Sequence, residues 1–164
     1  MASEFSFDVV SEIDRQELTN ALDQARREIT ARYDFKDVVV EIKLEPNHLI
    51  ISAPSEFKFN AVMDIVKSKL MRRQLDLRIL GEAKIEPASG GTVRANVPLA
   101  EGIAADTAKK ISKIIRDNFP KVKPTIQGEA IRVNSKSKNE LQAVMTLLKH
   151  QDELVLPLQF TNYR

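Results

Sequence analysis

The chemistry this sequence can offer is concentrated in two short runs late in the chain, Lys121 to Gln127 and Ala130 to Asn134, separated by Gly128 and Glu129. Both runs alternate. Val122, Ile126, Ile131 and Val133 fall on one side of a strand pair, which leaves Lys123, Thr125, Gln127, Arg132 and Asn134 on the other. A guanidinium presents a planar fork that matches a phosphate, an ammonium adds a point charge, and primary amides pair with base edges or ribose hydroxyls. Lys136, just beyond the second run, adds another cation. The candidate contacts for a nucleotide are therefore Lys123 and Arg132 toward phosphate, Gln127 and Asn134 toward base or ribose, and Lys136 beside them. Arg94 and Asn96 have the same parity on the strand expected before this pair, so they are expected to widen the face. A solvated sheet face, or one packed on another domain, has the same pattern.

Patterns that would make or break bonds are weak. Ser-x-x-Lys occurs at Ser55 to Lys58 and at Ser135 to Lys138, but both serines precede expected helix starts, where a hydroxyl caps the first turn. There is no cysteine, which excludes a thiol nucleophile, a disulfide scaffold and thiolate metal sites. His48 and His150 have no companion at metal-ligand spacing, and no phosphate-cradling glycine loop is present. Asp34 and Asp37 flank a strand start, where turn-forming acids are common. The basic groups Lys67, Lys69, Arg72 and Arg73, and Lys109, Lys110, Lys113 and Arg116, suit a helix C-terminus and a solvated helix face. The expectation is a protein with no catalytic activity, no cofactor and no metal.

The elements that must position these residues repeat once. Phe5, Phe7 and Val9 alternate as in a half-buried strand; Asp14 and Glu17 then have capping-box spacing ahead of the stripe Leu18, Ala21, Leu22, Ala25 and Ile29. Val38, Val40, Ile42 and Leu44, a turn at Pro46-Asn47, and Leu49, Ile51 and Ala53 predict a hairpin. A helix after Ser55 carries Phe59, Val62, Met63, Val66 and Leu70, with Phe57 and Phe59 both expected in the core, and Leu75 to Leu80 alternates as a closing strand. Residues 81–91 read as a connector. The order then restarts with Val93, Ala95 and Val97, a helix with Ile103, Thr107, Ala108, Ile111, Ile114 and Ile115, the basic hairpin, a helix opened by Ser137 and Glu140, and a strand with Leu156, Leu158 and Phe160. An offset of 82 places Ala61-Val62-Met63 on Ala143-Val144-Met145. This reads as an internal duplication of a β-α-β-β-α-β unit, the split βαβ arrangement of ferredoxin-like domains, with repeats at 1–80 and 92–164.

At 164 residues with 43% hydrophobic and 29% charged content, the chain suits one domain or two small ones. No apolar run approaches the length of a membrane span, and the N-terminus lacks the pattern of a signal peptide, so a cytoplasmic protein without membrane contact is expected. Residues 1–82 hold 12 basic and 15 acidic groups, against 13 and 8 in residues 83–164, which favours the second half for a phosphate. The chain has seven phenylalanines, two tyrosines and no tryptophan, none of them on the third strand of either repeat, which disfavours RNA reading by stacking on the sheet.

Phe7-Asp8-Val9-Val10-Ser11-Glu12, Arg32-Tyr33-Asp34-Phe35-Lys36, Ile126-Gln127-Gly128-Glu129 with Ile131-Arg132-Val133, Leu141-Gln142-Ala143-Val144-Met145 and the ending Leu158 to Arg164 resemble the YajQ family from end to end. The resemblance implies a tandem of two ferredoxin-like domains whose first strands are exchanged, residues 1–11 completing the second sheet and 91–100 the first. It also implies a bacterial cytosolic nucleotide-binding protein, with cyclic di-GMP among the ligands proposed for the family and without established catalysis; the function expected of this chain is a non-enzymatic nucleotide-binding protein that passes the binding event to a macromolecular partner. An RNA- or protein-interaction module using the open sheet faces is the alternative. The chain departs from the family after the third strand of the second repeat, where Asn134-Ser135-Lys136-Ser137-Lys138-Asn139-Glu140 replaces a glycine-containing basic loop.

Overall fold

The computed structural model describes residues 4–164, so residues 1–3 of the expected first-strand segment lie outside the described residues. In chain order the elements are β1 (Phe5–Val10), α1 (Arg15–Ala31), β2 (Glu41–Leu44), β3 (His48–Ala53), α2 (Glu56–Arg72), β4 (Lys84–Pro87), β5 (Val93–Pro98), α3 (Ala105–Asn118), β6 (Lys123–Gln127), β7 (Ala130–Ser135), α4 (Lys138–Lys149) and β8 (Gln159–Thr161). The strands form two antiparallel four-stranded sheets, ordered β2-β3-β5-β4 and β6-β7-β1-β8. By contact, residues 13–100 form one compact unit; residues 1–12 with 101–164 form the other.

In the unit of residues 13–100, the side chain of Asp14 accepts from the Glu17 N–H, satisfying a free donor at the start of α1, and that of Ser55 accepts from the Lys58 N–H at the start of α2. The expected stripes of both helices are buried against Ile42, Leu49, Ile51, Ala53, Ala95 and Val97. Three expectations change here. The first hairpin is shorter than its alternation suggests: a 3-10 turn at Tyr33–Phe35 and a left-handed Asp37 (φ 62°) delay β2 to Glu41, leaving Val39 exposed. Leu75 to Leu80 makes no strand of the sheet; Leu77–Ile79 is a 3-10 turn, capped where the Asp76 carboxylate accepts from the Arg78 N–H, and its apolar side chains pack on the core from outside the sheet. The closing strand is β4, inside the stretch read as a connector. It pairs with β5 through a tight reversal in which Gly90 and Gly91 hold φ of 74° and 77° and the Ala88 N–H donates to the Thr92 carbonyl at 2.8 Å.

In the other unit β1 runs antiparallel between β7 and β8, with Phe7 opposite Val133 and Val9 opposite Phe160. Phe7 and Val9 are fully buried, and Ser6, Asp8 and Val10 are nearly so, Asp8 beneath the Arg132 and Asn162 side chains that bond it; the half-buried expectation for this strand does not hold. Ile103, Ala108, Ile111, Ile115, Ile131, Val133, Leu141, Val144, Met145 and Leu148 complete the core. The Ser137 hydroxyl accepts from the Glu140 N–H as expected of an N-cap. Ile126 is 42% exposed rather than core, and β8 is confined to Gln159–Thr161, with Leu156 and Leu158 packing from an irregular segment.

Candidate functional site

The register of the second sheet decides which expected contacts meet. Lys123 stands opposite Asn134, and Asn134 opposite Ser6; in the next like-facing row Thr125, Arg132, Asp8 and Thr161 lie side by side. Gln127 pairs with Ala130 at the far end of the hairpin, about 13 Å along the strand from Lys123 at roughly 3.3 Å per residue. The structure thus brings Lys123, Arg132 and Asn134 to one region of the open face and sets Gln127 apart from them. Arg94 and Asn96 do not join this face. They sit on β5 in the first sheet, Arg94 opposite Ser52 and Glu86, Asn96 opposite Ile50 and Lys84, because the tight β4–β5 reversal ties that strand to its sequence neighbour.

Arg132 is not free. Its Nε donates to Asp8 Oδ1 at 3.0 Å and its Nη2 to Asp8 Oδ2 at 3.3 Å, and Asn162 Nδ2, held in a left-handed backbone (φ 54°), donates to the same oxygen at 2.8 Å. The guanidinium above all, then the Asn162 amide and the positive charge around it, holds the Asp8 carboxyl below its usual range against the opposing effect of burial. Asp8 engages the Nε and Nη2 edge of the Arg132 fork, which fixes the guanidinium's orientation and leaves its other N–H groups outside that pair. Sequence reasoning missed Asp8 and Asn162. The signal was present: an acid inside the apolar run Phe5 to Val10 requires a partner once the strand is buried.

The loop after β7 satisfies itself. The buried Ser135 hydroxyl donates to Glu140 Oε2 at 3.0 Å and accepts from the Ser137 N–H at 3.0 Å, and the Ser137 hydroxyl accepts from the Glu140 N–H at 3.3 Å. Its polar groups therefore point inward, leaving the exposed Lys136 and Lys138 as its outward chemistry. Ser55 and Ser135 are thus engaged in capping or loop bonds. Among the described residues no three histidine, aspartate or glutamate side chains gather as a metal cluster, and no helix is long and apolar enough to cross a membrane.

The unit of residues 13–100 carries a different surface. Phe57, expected in the core, is 78% exposed, while Phe59 two residues on is buried, since helical spacing turns neighbouring positions to opposite sides. Tyr33 is 86% exposed. Next to these residues in the chain, Lys58 lies 5.0 Å from the Phe35 ring centre and donates to the Asp34 carbonyl, Lys36 lies 5.8 Å from the Tyr33 ring centre, and Arg32 makes a two-point pair with Asp34. The Asp34 carboxyl is held low chiefly by that arginine. Of the basic group at the end of α2, Lys69 is buried and paired with Glu28 at 2.9 Å, and Arg73 meets Glu17 at 3.5 Å, which ties α2 to α1.

Comparison with known proteins adds the following. A family model described as "Nucleotide-binding protein YajQ-like" matches residues 5–164. Proteins called "Nucleotide-binding protein" from Roseiflexus sp. (strain RS-1), Trichodesmium erythraeum (strain IMS101) and Synechococcus sp. (strain JA-3-3Ab) are 53%, 52% and 54% identical, each alignment covering 100% of both chains.

Proposed function

The chain belongs to the family of YajQ-like nucleotide-binding proteins, and from that premise we propose that it binds a nucleotide without turning it over, in the cytoplasm, and passes the binding event to a macromolecular partner. The supporting observation is Arg132, a guanidinium aimed by the Asp8 carboxylate within reach of Lys123 and Asn134 on one open sheet face. We assign phosphate contacts to Arg132 and Lys123, with Lys136 adding charge, and base or ribose contacts to Asn134 and, for a ligand long enough to span the face, Gln127. A cyclic dinucleotide such as cyclic di-GMP meets that length requirement. The strand orders β2-β3-β5-β4 and β6-β7-β1-β8 support a ferredoxin-like reading of both units with their first strands exchanged, β5 taking the place of β1 in one sheet and β1 that of β5 in the other.

A second reading, an RNA- or protein-interaction module, is favoured by the exposed Tyr33 and Phe57 with their neighbouring cations, since exposed aromatics interleaved with positive charge suit base stacking. One calorimetric panel separates the two: the pure full chain titrated with mononucleotides, cyclic dinucleotides and then tRNA, with product formation followed in parallel. Saturable heat from a small nucleotide without turnover supports the first reading. Heat from tRNA alone, lost on changing Tyr33 and Phe57 to Ala, replaces it with the second; turnover by the pure protein removes the non-catalytic assignment.

A further inference from the structure

Beside α4, in the unit formed by residues 1–12 and 101–164, lies a cavity of about 360 Å³. Its floor is apolar: Leu141 and Met145, one turn apart on the buried face of the helix. Phe5 and Tyr163 contribute rings to its wall. Lys138 and Gln142, also one turn apart and both exposed, stand with Arg164 among its lining residues. An apolar floor with a few polar groups around it is the usual composition of a small-molecule site, and the volume is at the low end of the roughly 300 to 1,000 Å³ such sites occupy.

The ring of Tyr163 is held in place although 64% exposed. Ser6 and Arg164 exchange two backbone hydrogen bonds, of 3.1 and 3.0 Å, which fix the segment. The Tyr163 hydroxyl donates to Met145 Sδ at 3.8 Å, and its ring stacks toward Phe7 with centroids 6.4 Å apart. A ring fixed by its neighbours but open to solvent is a ready surface for a planar heterocycle, because little side-chain freedom remains to be lost on stacking. Lys138 Nζ lies 4.9 Å from the Phe5 ring centre, so a cation is already placed at the pocket wall. Gln142 supplies an amide that both donates and accepts, as a base edge requires. The pocket also adjoins the open face, since Ser6 lines it and pairs with Asn134.

We propose that this pocket is the base subsite of the nucleotide site, the heterocycle lying against Tyr163 over Leu141 and Met145, and the phosphate meeting Lys138 and Arg164. The proposal rests on the nucleotide-binding reading above. The pocket takes one base and its sugar, so a mononucleotide fills it with its phosphate on Lys138 and Arg164, and a cyclic dinucleotide would insert one half there and lay the other over Lys123, Arg132 and Asn134 on the open face.

The test titrates the full chain with GMP, AMP, the corresponding nucleosides and inorganic phosphate, following heat and the resonances of α4. A mononucleotide should bind more tightly than either its nucleoside or phosphate. Tyr163→Ala should weaken nucleotide and nucleoside alike by roughly 5- to 150-fold, with Tyr163→Phe retaining most of the affinity. Lys138→Ala should weaken the nucleotide by about 10-fold or more and leave the nucleoside unchanged. Lys43→Ala, in the other unit, should change nothing. Affinity within threefold of the parent in both Tyr163→Ala and Lys138→Ala overturns the pocket while the nucleotide reading stands. A parent protein that binds no nucleotide overturns that reading, and the pocket with it.

Discussion

Among single residues, Asp8 and Arg132 tie folding to the candidate site. Asp8 is 8% exposed in a central strand, so its charge is tolerable only while Arg132 and Asn162 bond it. Its carboxyl is held below the ordinary value near 3.9 chiefly by that hydrogen-bonded guanidinium, which fixes the sign of the pH effect. The stabilisation is complete above the unfolded value and is lost as pH falls through the depressed folded one. Amide exchange in β1 and β7 should therefore accelerate as pH drops below about 4, after correction for intrinsic rates, and Asp8→Asn should flatten that limb while lowering stability at pH 7. A parent and variant with superimposable acid limbs would remove Asp8 from this role. The same pair complicates the obvious binding test. Arg132→Ala leaves Asp8 buried without its main partner, so the informative protein is the double variant Arg132→Ala/Asp8→Asn, which should keep its fold and bind a cyclic dinucleotide 10- to 100-fold more weakly, with a shallower salt dependence. Undiminished affinity in that variant would move the phosphate contact elsewhere. Residue-level chemistry was legible where it is local: Ser55, Ser137 and Asp14 cap the helices their spacing announces. Asp8 and Arg132 are 124 positions apart, and no short-range pattern joins them.

For the elements, the four helices and the strands that alternate over a buried face were readable, because each writes its own period into the sequence. The exceptions share a cause. β4 has one partly buried apolar side chain, Ile85, among charged neighbours and Pro87, which is what an edge strand tolerates and what a search for alternation passes over. Leu75 to Leu80 alternates better than β4 does, yet its leucines pack on the core from a 3-10 turn. The two glycines between Pro87 and Val93 were the usable clue, since positive φ at successive positions is how a chain reverses tightly between paired strands. Helix capping offers a test that also bears on catalysis. Ser55→Ala removes the acceptor for the Lys58 N–H and should lower stability by about 1 kcal/mol in urea unfolding, with nucleotide affinity unchanged. A loss of any enzymatic turnover in that variant at full stability would instead give Ser55 a chemical role.

At the scale of the whole molecule, the sequence halves and the folded units are different sets of residues. The halves differ in charge, but residues 13–100 hold 14 basic and 13 acidic groups, and residues 1–12 with 101–164 hold 11 and 10, so each unit carries a net charge of +1. The charge contrast between halves therefore does not favour either unit for a phosphate; local geometry has to carry the assignment. The same partition makes an asymmetric prediction about folding. Residues 13–100 are continuous in sequence and contain every strand of their sheet, β5 included, whereas residues 101–164 lack β1, the strand between β7 and β8. β1 contributes Phe7 and Val9, both 0% exposed, and replacing Phe7 alone by Ala should cost about 3 to 5 kcal/mol, a large part of the roughly 5 to 15 kcal/mol that holds a typical domain together. A chain shortened by residues 1–12 should keep slow amide exchange in β3 and β5 and lose it in β7 and β8. A synthetic peptide of residues 4–12 added in trans should restore protection in β7, and the separate fragment 13–100 should fold alone with the β2-β3-β5-β4 pairing intact. Protection of β7 that survives the deletion would mean that the second sheet closes without β1, and the two units would then not depend on the chain's first strand in the way their connectivity requires.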